Sequence, residues 1–232
     1  MPTISFQAAG VSVAAPGGPR IVLEPTSLEL TEQRVGVIGA NGSGKSTLAR
    51  LVNGLVEAST GRVLVDGVDV ARDGGAVRRR VGFVFTDPAA QLVMPTCVED
   101  VELSLRRHEK SAARRHEKAL AVLQRYGLGD HADVSVHALS GGQKQLLALA
   151  GVIAVEPAIV VADEPTTLLD LANTRKIADL LFDLDQQLLL VTHDLDLARR
   201  CDRVLVVEDA GVRFDGPADA AVEHYLATVA GR

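Results

Sequence analysis

Short apolar runs of four or five residues recur along most of the chain. Val35–Ile38, Val81–Phe85, Ile159–Ala162, Leu188–Val191 and Val204–Val207 are rich in Val, Leu and Ile and predict buried strands. Helical patterns follow several of them, so the main body is expected to be α/β. Before Gly39 the texture differs. Ile4–Phe6, Gly10–Val13, Ile21–Leu23 and Ser27–Leu30 predict a small antiparallel sheet, with a turn at the cluster Ala14-Ala15-Pro16-Gly17-Gly18-Pro19. Gly61–Val65 is expected to join it. From about Asp87 to His137 the strands vanish, and Val98–Tyr126 reads as charged and helical. Its two identical stretches, Arg106-Arg107-His108-Glu109-Lys110 and Arg114-Arg115-His116-Glu117-Lys118, read as a solvated helical face, because nothing around them recurs. The expected organisation is one domain over 1–232 with a helical insert at 88–138.

Composition narrows the core rather than the chemistry. Apolar residues make up 47% of the chain but aromatics only 3%, with no Trp, so the core is expected to be aliphatic, as suits a parallel sheet covered by helices. A net charge of −6 argues against a nucleic-acid-coating role. Cys97 and Cys201 stand far apart, with no paired-cysteine spacing, and read as ordinary buried thiols of a reducing compartment. The start Met1-Pro2-Thr3 does not resemble a signal peptide. The longest apolar run, Leu146 to Val155, is about half of the roughly 20 residues that span a bilayer. A soluble cytoplasmic protein is expected, with any membrane role exercised through partners.

The strongest chemical signal follows the strand Val35–Ile38. Gly39-Ala40-Asn41-Gly42-Ser43-Gly44-Lys45-Ser46-Thr47 leads into a helical pattern, Leu48 to Leu55, which is the strand–GxxxxGK[ST]–helix arrangement. Glycines let successive N–H groups turn inward toward an anion, and the helix start adds a positive dipole end. Lys45 is placed to reach the β- and γ-phosphates of a nucleoside triphosphate, and the Ser46 hydroxyl to ligate Mg2+. A glycine-rich turn alone is common; Gly-Lys-Ser-Thr in this context is not.

A second strand, Ala158–Ala162, ends in Asp163-Glu164-Pro165. Two acids after a strand would equally suit a solvated loop entrance. Beside a phosphate loop they read as a Mg2+ ligand, Asp163, and a water-polarising base, Glu164. Between the two motifs lies Leu139-Ser140-Gly141-Gly142-Gln143 at a helix start, a second place with free N–H groups and a hydroxyl donor. One nucleotide has no use for two separate cradles on one domain. Head-to-tail pairing of two copies answers this, each closing its second cradle over the other's ATP.

This ordered set resembles the ATP-binding-cassette (ABC) ATPases over essentially the whole chain. Leu-Ser-Gly-Gly-Gln is similar to their signature, contributing Ser140, Gly141, Gly142 and Gln143. Thr167-Leu168-Leu169-Asp170 resembles their D-loop, and His193 in Leu190-Val191-Thr192-His193-Asp194 falls at their switch histidine. The resemblance implies an α/β P-loop NTPase cassette with an N-terminal antiparallel β subdomain and a helical insert. It implies ATP and Mg2+ as cofactors, with Lys45, Glu164 and His193 catalytic. Two departures stand out. Thr86 occupies the position where the family carries the Q-loop glutamine, with Gln91 five residues on. Val11, with Val13 and Phe6 nearby, occupies the position where an aromatic ring stacks on adenine.

A free-standing cassette implies an importer subunit. Gln91-Leu92-Val93-Met94-Pro95-Thr96, followed by Val98-Glu99-Asp100, resembles the ATPases of energy-coupling factor transporters; together with Asp163–Asp170 it looks closest to the biotin-uptake type, with cobalt or nickel uptake next. The implied partners are a second cassette subunit, a homodimer being expected, a transmembrane coupling protein and a substrate-binding membrane protein. No nucleic-acid partner is implied. The implied location is the cytoplasmic face of the cell membrane. Leu92, Val93 and Met94 read either as insert core or as the lining of the cleft that receives the coupling protein. A catalytically idle regulatory module and another importer class are the alternatives.

Overall fold

The computed structural model describes residues 1–231. The chain divides into two compact units, one of residues 1–82, 158–164 and 184–232, the other of 83–157 and 165–183.

The first unit opens with strands β1 (Ile4–Ala15), β2 (Gly18–Leu30) and β3 (Arg34–Ile38), helix α1 (Lys45–Leu51), strands β4 (Thr60–Val65) and β5 (Val68–Asp69), and helix α2 (Gly74–Arg80). Strand β6 (Val81–Val84) runs across the boundary. In the second unit lie α3 (Cys97–Leu105), α4 (Ala112–Arg125), α5 (Gly141–Ile153) and α6 (Leu171–Phe182). Strands β7 (Ile159–Asp163), β8 (Gln187–Val191), β9 (Arg203–Glu208) and β10 (Gly211–Gly216), with helices α7 (Leu195–Ala198) and α8 (Ala218–Ala230), complete the first unit.

The larger sheet has the order β10-β9-β3-β8-β7-β6. Strands β9, β3, β8 and β7 pair in parallel, and β10 returns antiparallel on β9. Every residue of β3, β7 and β8 is buried, which is why these segments carry no alternation and were legible as plain apolar runs. The order matters for chemistry: β3, β8 and β7 lie side by side, so the loops leaving their carboxyl ends emerge together, where ligands bind in such sheets.

The second sheet, β2-β1-β4-β5, is antiparallel as expected, but its four predicted N-terminal runs fuse into two strands of 12 and 13 residues. Only Pro16 and Gly17 turn; the rest of the expected turn cluster pairs across the hairpin. What looked like breaks are register shifts between Phe6 and Ala9, Ala9 and Val11, and Val11 and Ser12, with Ala8 at φ +48°. Each shift changes which face a side chain takes. The expectation at Val11 is corrected by this: the side chain turns into the core and is 6% exposed, whereas Val13 is 47% exposed. A residue so placed has almost no surface to offer an adenine ring.

The helical segment expected over Val98–Tyr126 forms two helices, α3 and α4. The first Arg-Arg-His-Glu-Lys copy leaves the end of α3 and enters the connecting loop, while the second lies on α4. Glu109 explains the break, since it accepts from the Ser111 N–H at 2.9 Å and pairs with Arg114 and Lys118. Both cysteines are buried, and burial pushes the Cys201 thiol up to about 12.

Val11→Tyr tests the turned-in side chain. Overpacking is expected to destabilise the protein by about 1–3 kcal/mol, read as a melting temperature several degrees lower, with no gain in ATP affinity. An unchanged melt with tighter nucleotide binding would return position 11 to the base site.

Candidate functional site

Three strand ends of the first unit build the site. After β3 the chain enters the glycine-rich loop. Gly39 has φ +145°, and a Cβ there would collide with the Val207 carbonyl; Gly44 has φ +108°, with the Val22 carbonyl 2.7 Å from where a Cβ would stand. Neither position tolerates another residue, so the loop's curvature is fixed by the sequence. The first N–H groups of α1 have no acceptor inside the helix. Ser43 Oγ is buried and has no hydrogen-bond partner among the described residues. Lys45, 5% exposed, donates from Nζ to the Ala40 carbonyl at 2.8 Å. Burial lowers its pKa, while the nearby carboxylates of Glu164 and Asp163 act to raise it.

Asp163 closes β7 with no exposure at all. The Ser46 hydroxyl donates to its Oδ1 at 2.7 Å, and Arg50 Nη2 reaches its Oδ2 at 3.0 Å. Ser46 and Arg50 are four residues apart and share one face of the chain entering α1. No motif marks this arginine, although its spacing from Ser46 is plain in the sequence.

Glu164 leaves the strand at φ +53°, a conformation that side chains other than glycine seldom adopt and that clusters at functional sites. Its N–H donates to the Val191 carbonyl at 3.0 Å, tying it to the end of β8. Two residues past that strand end, His193 brings Nδ1 to 2.6 Å from Glu164 Oε2. Asp194, the N-cap of α7, accepts from Asp196 and Leu197 N–H and holds this turn. The His193 side chain is 58% exposed against 14% for Glu164, so one ring nitrogen is engaged and the ring as a whole faces water. The structure thus brings Lys45, Ser46, Asp163, Glu164 and His193 onto neighbouring strand ends.

Hard oxygen donors beside a cationic loop suit magnesium, which takes few protein ligands and shares substrate phosphates. The Ser46 hydroxyl and Asp163 carboxylate, already in contact, are that donor pair. The cradle fixed by Gly39 and Gly44, with its orphaned Ser43 hydroxyl, suits a phosphate chain.

The predicted signature residues, Asp170 and Thr86 lie in the second unit. Ser140 is the N-cap of α5, accepting from Gln143 N–H at 3.3 Å, while Gln143 Oε1 accepts from Ser140 N–H at 2.9 Å. A Cβ on Gly142 would collide with the Asn173 side chain, and Asn173 is bonded twice to Asp170, the N-cap of α6. Signature and D-loop are therefore packed together. Those bonds hold the Asp170 carboxyl below its usual range.

Thr86 lies in the loop after β6. Gln91 is no free substitute for a catalytic glutamine, because its Oε1 accepts from Phe85 N–H at 3.4 Å and its Nε2 donates to the Ala148 carbonyl at 2.9 Å. Gln145, easily passed over as a lone polar residue in an apolar run, donates to the Phe85 carbonyl at 3.3 Å.

The ABC transporter family matches residues 23–167, which covers the phosphate loop, signature and acidic strand. The chain belongs to the ABC transporter family. A biotin transport ATP-binding protein BioM of Rhizobium etli is 42% identical over 222 residues, 96% of this chain and 97% of that protein. The dimeric cassette MJ0796, solved in a post-hydrolysis state with ADP and Pi, superposes with a TM-score of 0.83 at 29% identity, covering 93% of this chain and 98% of that one. The cbiO1 protein of Clostridium perfringens, part of the ABC transporter complex cbiONQ, gives 0.81 at 28% identity, covering 97% and 93%. This cassette is the ATP-binding subunit of an ABC transporter and hydrolyses ATP with Mg2+. Among the described residues no helix is long and apolar enough to cross a membrane.

Arg50→Ala removes one of the bonds to Asp163. The Mg2+ concentration giving half-maximal ATP hydrolysis is expected to rise about tenfold, with metal-free ATP binding unchanged. An unaltered Mg2+ titration would show that Asp163 is set without the arginine.

Proposed function

We propose that two copies of this cassette sandwich two Mg-ATP molecules and that closure drives a vitamin importer of the energy-coupling factor type. Each composite site takes Lys45, Ser46, Asp163, Glu164 and His193 from one copy and Ser140 and Gly142 from the other. Lys45 and the loop N–H groups hold the phosphates, Ser46 and Asp163 would hold magnesium, and magnesium neutralises charge on the phosphates when bound. Glu164, with His193 on its Oε2, polarises the attacking water.

The observation that carries the pairing is Gly141. A Cβ at this position would meet nothing within 4 Å, and the residue is not among the glycines with positive φ. Nothing inside the chain requires glycine there, whereas close approach of another molecule's phosphate does. Leu168 and Leu171, each 65% exposed beside the D-loop, add apolar surface of the kind that marks an interface.

The importer assignment is supported by the BioM relative and by the loop preceding α3. There Asp100, 7% exposed, accepts from the N–H groups of Val93 and Met94 at 2.9 Å each, presenting Val93 at 68% exposure. A recess of about 160 Å3 adjoins it, lined by Met94 and Leu103 with Glu99, Glu102, Arg106 and Arg115 around them. An apolar point with a charged rim suits the cytoplasmic helix of a transmembrane coupling protein, with a substrate-binding membrane protein beside it. Biotin is the proposed cargo, and the working location is the cytoplasmic face of the membrane.

Glu164→Gln is expected to cut phosphate release by roughly 10²–10⁴-fold and to trap an ATP-dependent dimer on size exclusion; rates equal to the parent would make the cassette an idle regulatory module. Adding Gly141→Asp is expected to leave the melting temperature unchanged or raised, since acids suit the first turn of a helix, yet to abolish that dimer. Dimerisation that survives the added carboxylate would remove the signature from the interface. Val93→Asp is expected to release the cassette from the coexpressed membrane subunits and stop uptake of labelled biotin, with the isolated ATPase rate intact. Continued copurification would move the docking surface elsewhere.

A further inference from the structure

The capping box at the start of α5 reaches one residue further than the signature itself. Gln143 Nε2 lies 2.9 Å from Nε2 of His131, at the end of the short turn Gly129–His131. The chemistry of each partner fixes the next. The Ser140 N–H can only donate, so the Gln143 amide must present Oε1 to it. That leaves the Gln143 NH2 group facing His131, and an amide nitrogen can only donate. His131 Nε2 must therefore accept, which puts the ring proton on Nδ1 and makes the ring neutral. Either the other tautomer or an imidazolium would set N–H against N–H.

Nothing else in the vicinity rewards this tautomer. His131 Nδ1 is buried and has no hydrogen-bond partner among the described residues. An orphaned buried donor is a cost to the fold. The ring keeps that penalty while its other nitrogen holds Gln143. Its backbone is held independently: His131 N–H donates to the Leu128 carbonyl at 3.0 Å, and the residues after it bind α3, whose Val98 and Cys97 N–H groups donate to the Ala132 and Val134 carbonyls. The acceptor is thus fixed in space before Gln143 meets it.

We infer that His131 is a positioning residue of the signature motif, a neutral latch whose Nε2 orients the Gln143 amide and through it sets the Ser140 hydroxyl. With the amide so oriented, Ser140 N–H is satisfied by Oε1 and Ser140 Oγ accepts from Gln143 N–H. The hydroxyl proton is then free to be donated to an anion arriving at Gly141. Without the latch the Gln143 amide can rotate, and its NH2 group would then oppose the Ser140 N–H and open the capping box. The consequence for turnover rests on the reading above, that Ser140 closes over a nucleotide held by a second copy; the latch itself does not.

The first arm of the test reads the latch in the full-length wild-type protein, without nucleotide or dimer. Long-range 1H–15N NMR of the His131 ring is expected to show a neutral imidazole with its proton on Nδ1; a proton on Nε2 overturns the inference. The second arm uses Glu164→Gln as parent. His131→Phe, which removes the acceptor, is expected to weaken ATP-dependent dimerisation about tenfold while ATP binding to the monomer is unchanged. His131→Gln, whose side-chain oxygen reaches about as far as Nε2, is expected to restore it. Equal dimerisation in the Phe variant, or equal loss in both variants, sinks the latch. A parent that never dimerises in ATP sinks the sandwich instead and leaves the NMR arm to decide the latch. If His131→Phe fails to fold, the wild-type tautomer and the dimerisation of His131→Gln still decide for or against it.

Discussion

A carboxylate with no exposure to water must be answered by its surroundings, and the answer given to Asp163 organises the phosphate end of this cassette. An unpaired buried charge would carry a penalty of several kcal/mol. Ser46 and Arg50, one helical turn apart, both bond it. Those two bonds pin the start of α1 against the end of β7, and the glycine-rich loop has nowhere to lie but between β3 and the acids. Glu164 must then leave the strand at φ +53° with its N–H on the Val191 carbonyl, and this backbone path brings its carboxylate to His193. Ser46, Glu164 and His193 take their places around one satisfied charge.

The second unit uses the same physics at two helix starts. The first N–H groups of α5 and α6 need acceptors, and Ser140 and Asp170 supply them from side chains one residue outside each helix. Gly142 gives the Asn173 side chain room, so the two caps are packed as one piece. Because its hydrogen bonds lower the Asp170 pKa in the folded state, that stabilisation is present above the ordinary aspartate value of 3.8 and is lost as pH falls through the lower folded value. At neutral pH the cap is fully formed.

Much of this was legible because the chemistry demands short, local words. A phosphate loop needs glycines where φ is positive, and Gly39 and Gly44 stand at such places; buried parallel strands need unbroken apolar runs, and β3, β7 and β8 are such runs. What escaped was set by distance in sequence. The Arg50–Asp163 bond spans 113 residues, and nothing local names its partner. The inward turn of Val11 depends on register shifts, which have no strong sequence mark when the bulged residue is Ala8 rather than glycine. Gln91, five residues past the Q-loop position, read as a possible substitute for its glutamine, but the carbonyl of Ala148, 57 residues on, engages it. No motif marks His131, and only the hydrogen-bond directions around Gln143 distinguish it.

The places where the fold breaks its own rules lie together with the chemistry. Sequences that satisfy folding alone do not leave a buried hydroxyl such as Ser43 Oγ unbonded, a glycine such as Gly141 without an internal reason, or a strand exit such as Glu164 in a left-handed conformation. Each exception sits at a phosphate-binding motif or on the acid beside it. The proposed sandwich would answer each with something the single chain does not contain: an anion for the hydroxyl, a close neighbour for the glycine, a reacting water for the acid. The incompleteness is distributed, with the hydroxyl and the acid in one unit and the bare glycine in the other. In the sandwich proposed above, each unit supplies to a second copy what that copy's other unit lacks, so ATP becomes the term that shifts the population toward the closed pair.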